Sequence, residues 1–168
     1  MTEGKAAMLE VDRLLAAARA TLAEVTDCWV MTPSESGGVH ARVVQPIDAA
    51  ADDDEWTISF ITGAGSRKAA EIERAGCLTL GYQRADRGYV TLNGRATLVR
   101  ERSVLRARWR EPWRVHFPSG AEDPRLTLVQ IAIDRIEICI AGVSPEPFGS
   151  RYVTVARDAA GVWAVAPR

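Results

Sequence analysis

The sequence has few cysteines and histidines, and their placement excludes two classes of site. It contains three cysteines and two histidines in 168 residues. Cys28, Cys77 and Cys139 lie far apart in apolar segments, which predicts buried reduced thiols and excludes a disulfide scaffold. His40 and His116 have no cysteine, histidine or carboxylate at the spacing of metal ligands, so we expect no metal site.

The chain also lacks the patterns that direct proteins to membranes. No stretch approaches the ~20 apolar residues of a transmembrane helix, and the N-terminus has no basic segment followed by an apolar run. With 21 Lys+Arg against 22 Asp+Glu the net charge is -1, which excludes a general basic field for nucleic acid or anionic membranes. These features predict a cytoplasmic protein without membrane contact.

The hydrophobic pattern predicts one domain, residues 1–168, of short strands with a few helices. An apolar stripe at helical spacing predicts an N-terminal helix over 7–25, and shorter helices are expected at 66–75 and 103–114. Apolar segments bounded by turn residues predict seven or eight strands, over 28–32, 39–47, 56–62, 77–82, 89–99 (bent at 93–94), 126–141, 151–156 and 162–165. Because short turns join most of them, the expected fold class is mainly β: an antiparallel barrel with peripheral helices.

The segment Ile58–Ile72 (ISFITGAGSRKAAEI) carries the most informative pattern in the chain. Gly63 and Gly65 follow a strand and allow a tight turn with unshielded amides. The helix start behind them supplies a capping hydroxyl and two cations next to the positive end of the helix dipole, from Ser66, Arg67 and Lys68. This pattern predicts a phosphate-binding turn, although an ordinary strand-to-helix turn with a serine cap fits the local sequence equally well.

Lysine is nearly absent from the chain, which makes its place in this turn informative. Lys5 and Lys68 are the two lysines, and the other basic residues are arginines. A compact ammonium fits a tight phosphate site in which a guanidinium needs more room. The lysine therefore supports the phosphate-binding interpretation.

Two charged segments lie outside this turn. The segment 48–55 (DAAADDDE) is interpreted as a solvated acidic connection. The segment 95–114 contains seven arginines but only two acidic residues, Glu101 and Glu111. The arginines could form a strip that binds RNA, but the solvated face of a strand and helix is the favoured interpretation.

Three motifs, in order along the chain, resemble the pyridoxamine 5′-phosphate oxidase-like, FMN-binding split-barrel superfamily. Thr62–Lys68, followed by A-x-x-I, is similar to its FMN-phosphate motif, and Arg42–Val44 resembles its R-x-V strand. Trp113–Leu128 (WRVHFPSGAEDPRLTL) looks like the W…F-P-x-G-x-D-D-P-x-L segment of the bacterial general-stress-protein branch. The resemblance covers roughly residues 11–139.

The resemblance implies a split-barrel homodimer that binds FMN between its two subunits and exchanges hydride or electrons at the flavin. The residues that it implies at the flavin are Arg42, Val43, Ile61, Thr62, Ser66, Arg67, Lys68, Tyr89 and Trp113. Those expected to hold the phosphate and ribityl end are Arg42, Thr62, Ser66, Arg67 and Lys68. Tyr89 and Trp113 are expected to line the ring, and each is equally consistent with a place in the core.

Three departures from the family pattern argue against pyridoxamine-phosphate oxidase activity. Ile47 stands where the oxidase has a lysine, Tyr89 stands where it has a glutamine, and its C-terminal R-x-H-D-R segment has no counterpart. A buried phosphate substrate needs its own cationic clamp. We therefore expect a different flavin-dependent oxidoreductase, with catalytic residues unassigned. The alternatives are a non-catalytic flavin-binding stress-response protein and an RNA-associated barrel.

Overall fold

In the computed structural model, which describes residues 3–51 and 53–167, an N-terminal helix precedes a sheet of eight strands. The α-helices are α1 (Glu3–Glu24), α2 (Arg67–Ala75) and α3 (Arg102–Arg108), and 3₁₀ turns follow at Glu111–Val115 and Gly120–Glu122. The strands are β1 (Cys28–Pro33), β2 (Val39–Val44), β3 (Thr57–Gly63), β4 (Cys77–Gln83), β5 (Tyr89–Val99), β6 (Leu126–Cys139), β7 (Val153–Arg157) and β8 (Trp163–Val165). No helix in these ranges is both long and apolar enough to cross a membrane.

All the strand pairs are antiparallel, and they form a sheet that does not close on itself. Its order is β2-β1-β4-β5-β6-β7-β8, and β3 pairs with the first half of β6. The long strand β6 therefore changes its second partner from β3 to β7 while it stays paired with β5. This change of partner splits the sheet, and the predicted fold class, a mainly β split barrel with peripheral helices, is confirmed.

The bend predicted in β5 is also confirmed. The register between β5 and β6 shifts between Asn93 and Gly94. A side chain at Gly94 would collide with the carbonyl oxygen of Ala132 on β6, so the close approach of the two backbones requires glycine there.

Two apolar clusters fill the molecule. The main core lies between α1, α2 and the inner faces of the strands, and its fully buried members include Leu14, Val30, Phe60, Ile72 and Leu92. A smaller group, here called the second cluster, lies under α3 and the 3₁₀ turns and consists of Leu105, Phe117, Leu126 and Leu128 with their half-buried neighbours. The phosphate-binding turn predicted from the sequence connects β3, which carries Phe60, to α2, which carries Ile72.

The predicted helix at 103–114 is too long. α3 ends at Arg108, and the chain is extended at Trp109 and Arg110 before a 3₁₀ turn begins at Glu111. Pro112 explains the break, because proline has no backbone N–H to donate to the carbonyl of Arg108 four residues earlier, and its ring clashes with that carbonyl in a helix. The expected continuous helix is thus two short segments.

The prediction that all three cysteines are buried is wrong for Cys77. Cys28 and Cys139 are buried, and burial raises the pKa of the Cys28 thiol to about 11. Cys77 is the first residue of β4, and its side chain is exposed. An alternating strand leaves every second residue on the outer face, so an apolar neighbourhood in the sequence does not ensure burial.

Candidate functional site

The turn between β3 and α2 has the cap that the sequence predicts. The Ser66 Oγ accepts a hydrogen bond from the backbone N–H of Ala69 at 3.2 Å, and this confirms Ser66 as the N-cap of α2. The same oxygen lies 3.3 Å from Oγ1 of the buried Thr62 at the end of β3. Two hydroxyl groups therefore lie side by side at the N-terminus of α2.

The turn is open above its backbone. A Cβ atom built on Gly63 or Gly65 would meet no atom within 4 Å, and neither glycine has a positive φ. The two glycines thus leave the backbone of the turn unshielded, although neither has a backbone conformation that requires glycine. Among the described residues, the backbone N–H groups of Gly65, Arg67 and Lys68 have no hydrogen-bond acceptor, so they remain free to bind an anion.

Lys68 is a half-buried cation with no carboxylate partner in the described part of the chain. Its Nζ lies 5.0 Å from the centroid of the fully buried Phe60 ring. Burial, with a smaller repulsion from Arg42, lowers the pKa of Lys68 to about 8. An aromatic face compensates only part of the cost of desolvating an ammonium group. An anion bound at the turn would offset the remainder.

A buried carboxylate, Glu71 of α2, collects donors from β1 and β2 beside the turn. Its Oε2 accepts hydrogen bonds from Thr32 Oγ1 at 2.5 Å and from Arg42 Nη2 at 2.7 Å. Its Oε1 accepts one from His40 Nδ1 at 2.5 Å, and the Nε of Arg67 lies 3.6 Å from the same oxygen. These bonds, of which that from Thr32 contributes most, lower the pKa of Glu71 to about 2.

Three residues of this network, Glu71, Thr32 and His40, are not among those predicted from the sequence. The one local signal is that Glu71 follows Arg67 by four residues, a spacing at which two helical side chains can pair. The burial of Glu71 follows from the packing of α2 on β1 and β2, which no local pattern shows.

The structure brings together five of the nine residues that the resemblance implies at the flavin: Arg42, Thr62, Ser66, Arg67 and Lys68. The side chains of the other four have different surroundings. Ile61 and Trp113 pack against the second cluster, and Val43 is exposed on β2. Tyr89 lines a shallow cavity with Trp29 and other outer-face residues, away from the turn.

The two aromatic residues expected at the flavin ring have different surroundings. Trp113 packs edge-on against Trp109, with ring centroids 5.9 Å apart and planes at 86°. This contact with a neighbouring tryptophan gives Trp113 a packing role within its own chain. Tyr89 is half-buried, and burial raises the pKa of its hydroxyl.

Six of the seven arginines of the segment 95–114 bind acceptors of the protein itself. Arg108 pairs with the nearly buried Asp53, whose other oxygen accepts a hydrogen bond from Gln130 at 2.9 Å. Arg102 donates to the carbonyl oxygen of Asp123 at 2.9 Å. The remaining ion pairs are at the surface: Arg100–Glu73, Arg106–Glu122, Arg110–Asp48 and Arg114–Glu111. Since five of the seven arginines have carboxylate partners, most of the segment's positive charge is compensated internally and is not free for RNA.

The acidic segment 48–55 is a mostly exposed connection, as the sequence predicts, but its carboxylates also form ion pairs. Each of its described carboxylates pairs with an arginine from another part of the chain: Asp48 with Arg110, Asp53 with Arg108, Asp54 with Arg157 and Glu55 with Arg19. The segment thus links α1, α3 and β7 through ion pairs.

Several solved structures have the same fold. The chain superposes on a protein related to general stress protein 26 from Clostridium acetobutylicum with a TM-score of 0.70, at 13% identity over 86% of this chain and 95% of that one. It superposes on general stress protein 26 from Bacillus anthracis with a TM-score of 0.59, at 16% identity over 77% of this chain and 92% of that one. It superposes on an FMN-binding protein related to pyridoxamine 5′-phosphate oxidase from Nostoc punctiforme with a TM-score of 0.62, at 15% identity over 100% of this chain and 98% of that one.

Sequence comparison gives the family directly. No curated protein matches the chain significantly. The family model described as "Pyridoxamine 5'-phosphate oxidase like" matches residues 15–141, which run from the C-terminal part of α1 through the turn and α3 to the end of β6. With this match over most of its length and a split barrel as its fold, the protein belongs to the pyridoxamine 5′-phosphate oxidase-like family.

Proposed function

We propose that the protein binds FMN, with the phosphate at the turn between β3 and α2, and acts as a flavin-dependent oxidoreductase. The observation that carries the proposal is Lys68, a half-buried ammonium group without a carboxylate partner in the described residues. Membership of the family and the likeness to a structure named as an FMN-binding protein support the choice of ligand.

The residues around the turn fit a phosphate monoester. Such a group carries a charge of about -1.5 to -2 at neutral pH and offers three acceptor oxygens. Lys68, Arg67 and Arg42 supply positive charge, and Glu71 removes part of it. The free backbone N–H groups supply further donors at the positive end of the α2 dipole. The combined charge and donor set therefore match the ligand.

A bound flavin supplies the capacity to exchange hydride or electrons with a substrate. The chain's own residues contribute binding and orientation. Lys68 and Arg67 fix the phosphate end, and Thr62 and Ser66 offer hydroxyl groups beside it. The catalytic role of the protein thus consists mainly in holding the cofactor and shaping the space around it.

The proposal includes a homodimer with the flavin between its subunits. Trp29, Val39 and Val43 are 49%, 65% and 54% exposed, and cross-strand pairing places them on one face of β1 and β2. An apolar face of this kind is normally covered by a partner. The side chain of Arg42 lies on the opposite face of β2 from that of Val43, but β2 is the edge strand of the sheet, so a second copy that covers this face and its edge would reach Arg42.

The substrate is proposed to differ from pyridoxamine phosphate. Ile47, which stands where the oxidase has a lysine, packs against the second cluster. This position therefore offers an apolar side chain, and a phosphate substrate would lack a cation there.

The test is to add FMN to the purified protein, remove the free ligand by desalting and record the visible absorption spectrum and the mass by light scattering. The proposal predicts bound flavin at about one per subunit and the mass of a dimer. Anaerobic bleaching of the bound flavin by a nicotinamide or deazaflavin donor would support the oxidoreductase, whereas bound flavin that no donor reduces would favour the non-catalytic alternative. Protein that retains no flavin would contradict the whole proposal.

A further inference from the structure

The guanidinium group of Arg42 is held along one edge. Its Nη1 donates to Thr32 Oγ1 at 2.6 Å and to the carbonyl oxygen of His40 at 2.7 Å, and its Nη2 donates to Glu71 Oε2 at 2.7 Å. A guanidinium has five N–H donors. Within the described residues, Nε–H and the second N–H of Nη2 have no acceptor.

These two remaining donors form the second edge of the same planar group. The parallel N–H bonds of such an edge match two oxygens of a phosphate group, which a single ammonium cannot do. The side chain of Arg42 is 22% exposed, and its charge contributes to lowering the pKa of Lys68, so the two cations are neighbours. The free edge is thus available beside the cation of the turn.

Glu71 is the centre of this arrangement. It is only 8% exposed, and it binds Arg42 and Thr32 through one oxygen and His40 through the other. Thr32 in turn donates to Glu71 and accepts from Arg42, which closes a ring of three hydrogen-bonded groups. A side chain held by several bonds of this kind has little freedom to rotate.

We propose that Glu71 is a positioning residue for anion binding: it fixes one edge of the Arg42 guanidinium and so presents the other edge to the phosphate at the turn. This inference rests on the proposed FMN site. Glu71 does not touch the ligand, and its effect passes through Arg42.

The positioning role and a purely electrostatic role of Glu71 predict opposite changes in FMN affinity. If Glu71 were only a negative charge near the phosphate, its neutralisation would strengthen FMN binding. If Glu71 positions Arg42, its neutralisation releases the guanidinium and weakens FMN binding, because the two-bond contact is formed less often.

The experiment compares Glu71→Gln with Glu73→Gln, which makes the same charge change on an exposed residue of α2. Dissociation constants are measured for FMN and for riboflavin, which has the same ring and no phosphate. We expect Glu71→Gln to lose about tenfold or more in FMN affinity, the scale of a hydrogen bond to a charged group, with riboflavin affinity unchanged. Glu73→Gln is expected to bind both ligands like the parent.

A second variant keeps the test decisive if Glu71→Gln does not fold. Thr32→Val preserves shape and the charge of Glu71 but removes the hydroxyl that links Glu71 to Arg42. We expect it to weaken FMN binding several-fold, again without an effect on riboflavin. Binding of FMN by both variants as tightly as by the parent, or more tightly, would overturn the positioning role and leave the FMN site intact. Failure of the parent to bind FMN would overturn the site itself, and the inference with it.

Discussion

The arginine-rich segment and the phosphate-binding turn are both cationic in sequence, but their cations have different partners. Each of the arginines at 100, 106, 108, 110 and 114 pairs with a carboxylate of the same chain. At the turn, Lys68 has an aromatic ring and no carboxylate among the described residues, while Arg42 and Arg67 approach the single carboxylate of Glu71. The arginine-rich segment therefore has a carboxylate for most of its cations, whereas the three cations of the turn share one.

This difference shows how a ligand site can be distinguished from a structural ion-pair network. A cation that has its own carboxylate is already stabilised and gains little from an external anion. A desolvated cation without one is a cost to the folded protein, and a ligand can offset that cost. The phosphate-binding interpretation of the turn rests on this contrast, and each of the following predictions can break it or sharpen it.

The largest effect is expected at Asp53, the carboxylate partner of Arg108 in the arginine-rich segment. Asp53→Ala leaves Arg108, whose side chain is only 13% exposed, without its carboxylate. We expect the free energy of unfolding to fall by about 3 kcal/mol, since removing one partner of a nearly buried pair leaves an uncompensated charge. Urea denaturation measures the change. Asp48→Ala is the matched control, because its pair with Arg110 is exposed and contributes less than about 1 kcal/mol. Equal losses of stability in the two variants would mean that the burial of an ion pair does not determine its contribution to stability.

At the turn, Lys68→Ala is expected to weaken FMN binding by about 1.5–3 kcal/mol, the scale of one charge-assisted hydrogen bond. Lys68→Arg should recover only part of this loss, because a guanidinium does not fit the place of a compact ammonium. Without flavin, Lys68→Ala should be no less stable than the parent, since the cation has no carboxylate to lose within the described residues. Calorimetric titration and thermal unfolding give the two quantities.

The chain's other lysine provides a control for that experiment. Lys5 lies exposed on α1, and Lys5→Ala should leave FMN binding unchanged. If the two alanine variants bind FMN alike and as tightly as the parent, the phosphate site lies elsewhere.

A smaller effect is expected from pH. Lys68 has a pKa of about 8 in the ligand-free protein, and a bound phosphate favours its charged form. FMN affinity should therefore fall as pH rises above about 8, by up to about 1.4 kcal/mol per pH unit for one linked proton. Lys68→Arg should show no such fall, because an arginine stays charged.

The same pKa has the opposite consequence for the stability of the ligand-free protein. Between pH 8 and 10.5 the unfolded chain still binds the proton that the folded protein has released, so stability should rise with pH over this range. A stability profile that is the same in the parent and in Lys68→Ala would contradict the burial of this lysine.

The smallest effect is expected at an exposed ion pair. Arg106→Ala removes the partner of Glu122, and both side chains are more than half exposed. We expect the free energy of unfolding to change by less than about 1 kcal/mol and FMN affinity not to change. A strong loss of stability or of flavin would show that the segment 95–114 does more than bind its own carboxylates.

Much of the fold is predicted by local sequence patterns. The alternation of apolar residues gives the strands, the cap at Ser66 gives the start of α2, and the turn residues at 93–94 give the bulge in β5. The end of α3 is not predicted, because the missing N–H of Pro112, which cannot bond the carbonyl of Arg108, outweighs the helical spacing.

The candidate site is predicted only in part for a different reason. Thr62, Ser66, Arg67 and Lys68 are adjacent in sequence, so a local motif identifies them together. Glu71 acts through Thr32, His40 and Arg42, which are 29 to 39 residues away in the chain. The exposure of Cys77 and the pairing of the acidic segment likewise depend on contacts made only in the folded chain.

The most direct test of the central claim is a titration of the unmodified protein with FMN and with riboflavin, followed by the quenching of flavin fluorescence. If the phosphate is held at the turn, FMN binds at least about a hundredfold more tightly than riboflavin, as expected when several charge-assisted hydrogen bonds are made to one group. Equal affinities for the two ligands, or no binding of FMN, would contradict the account.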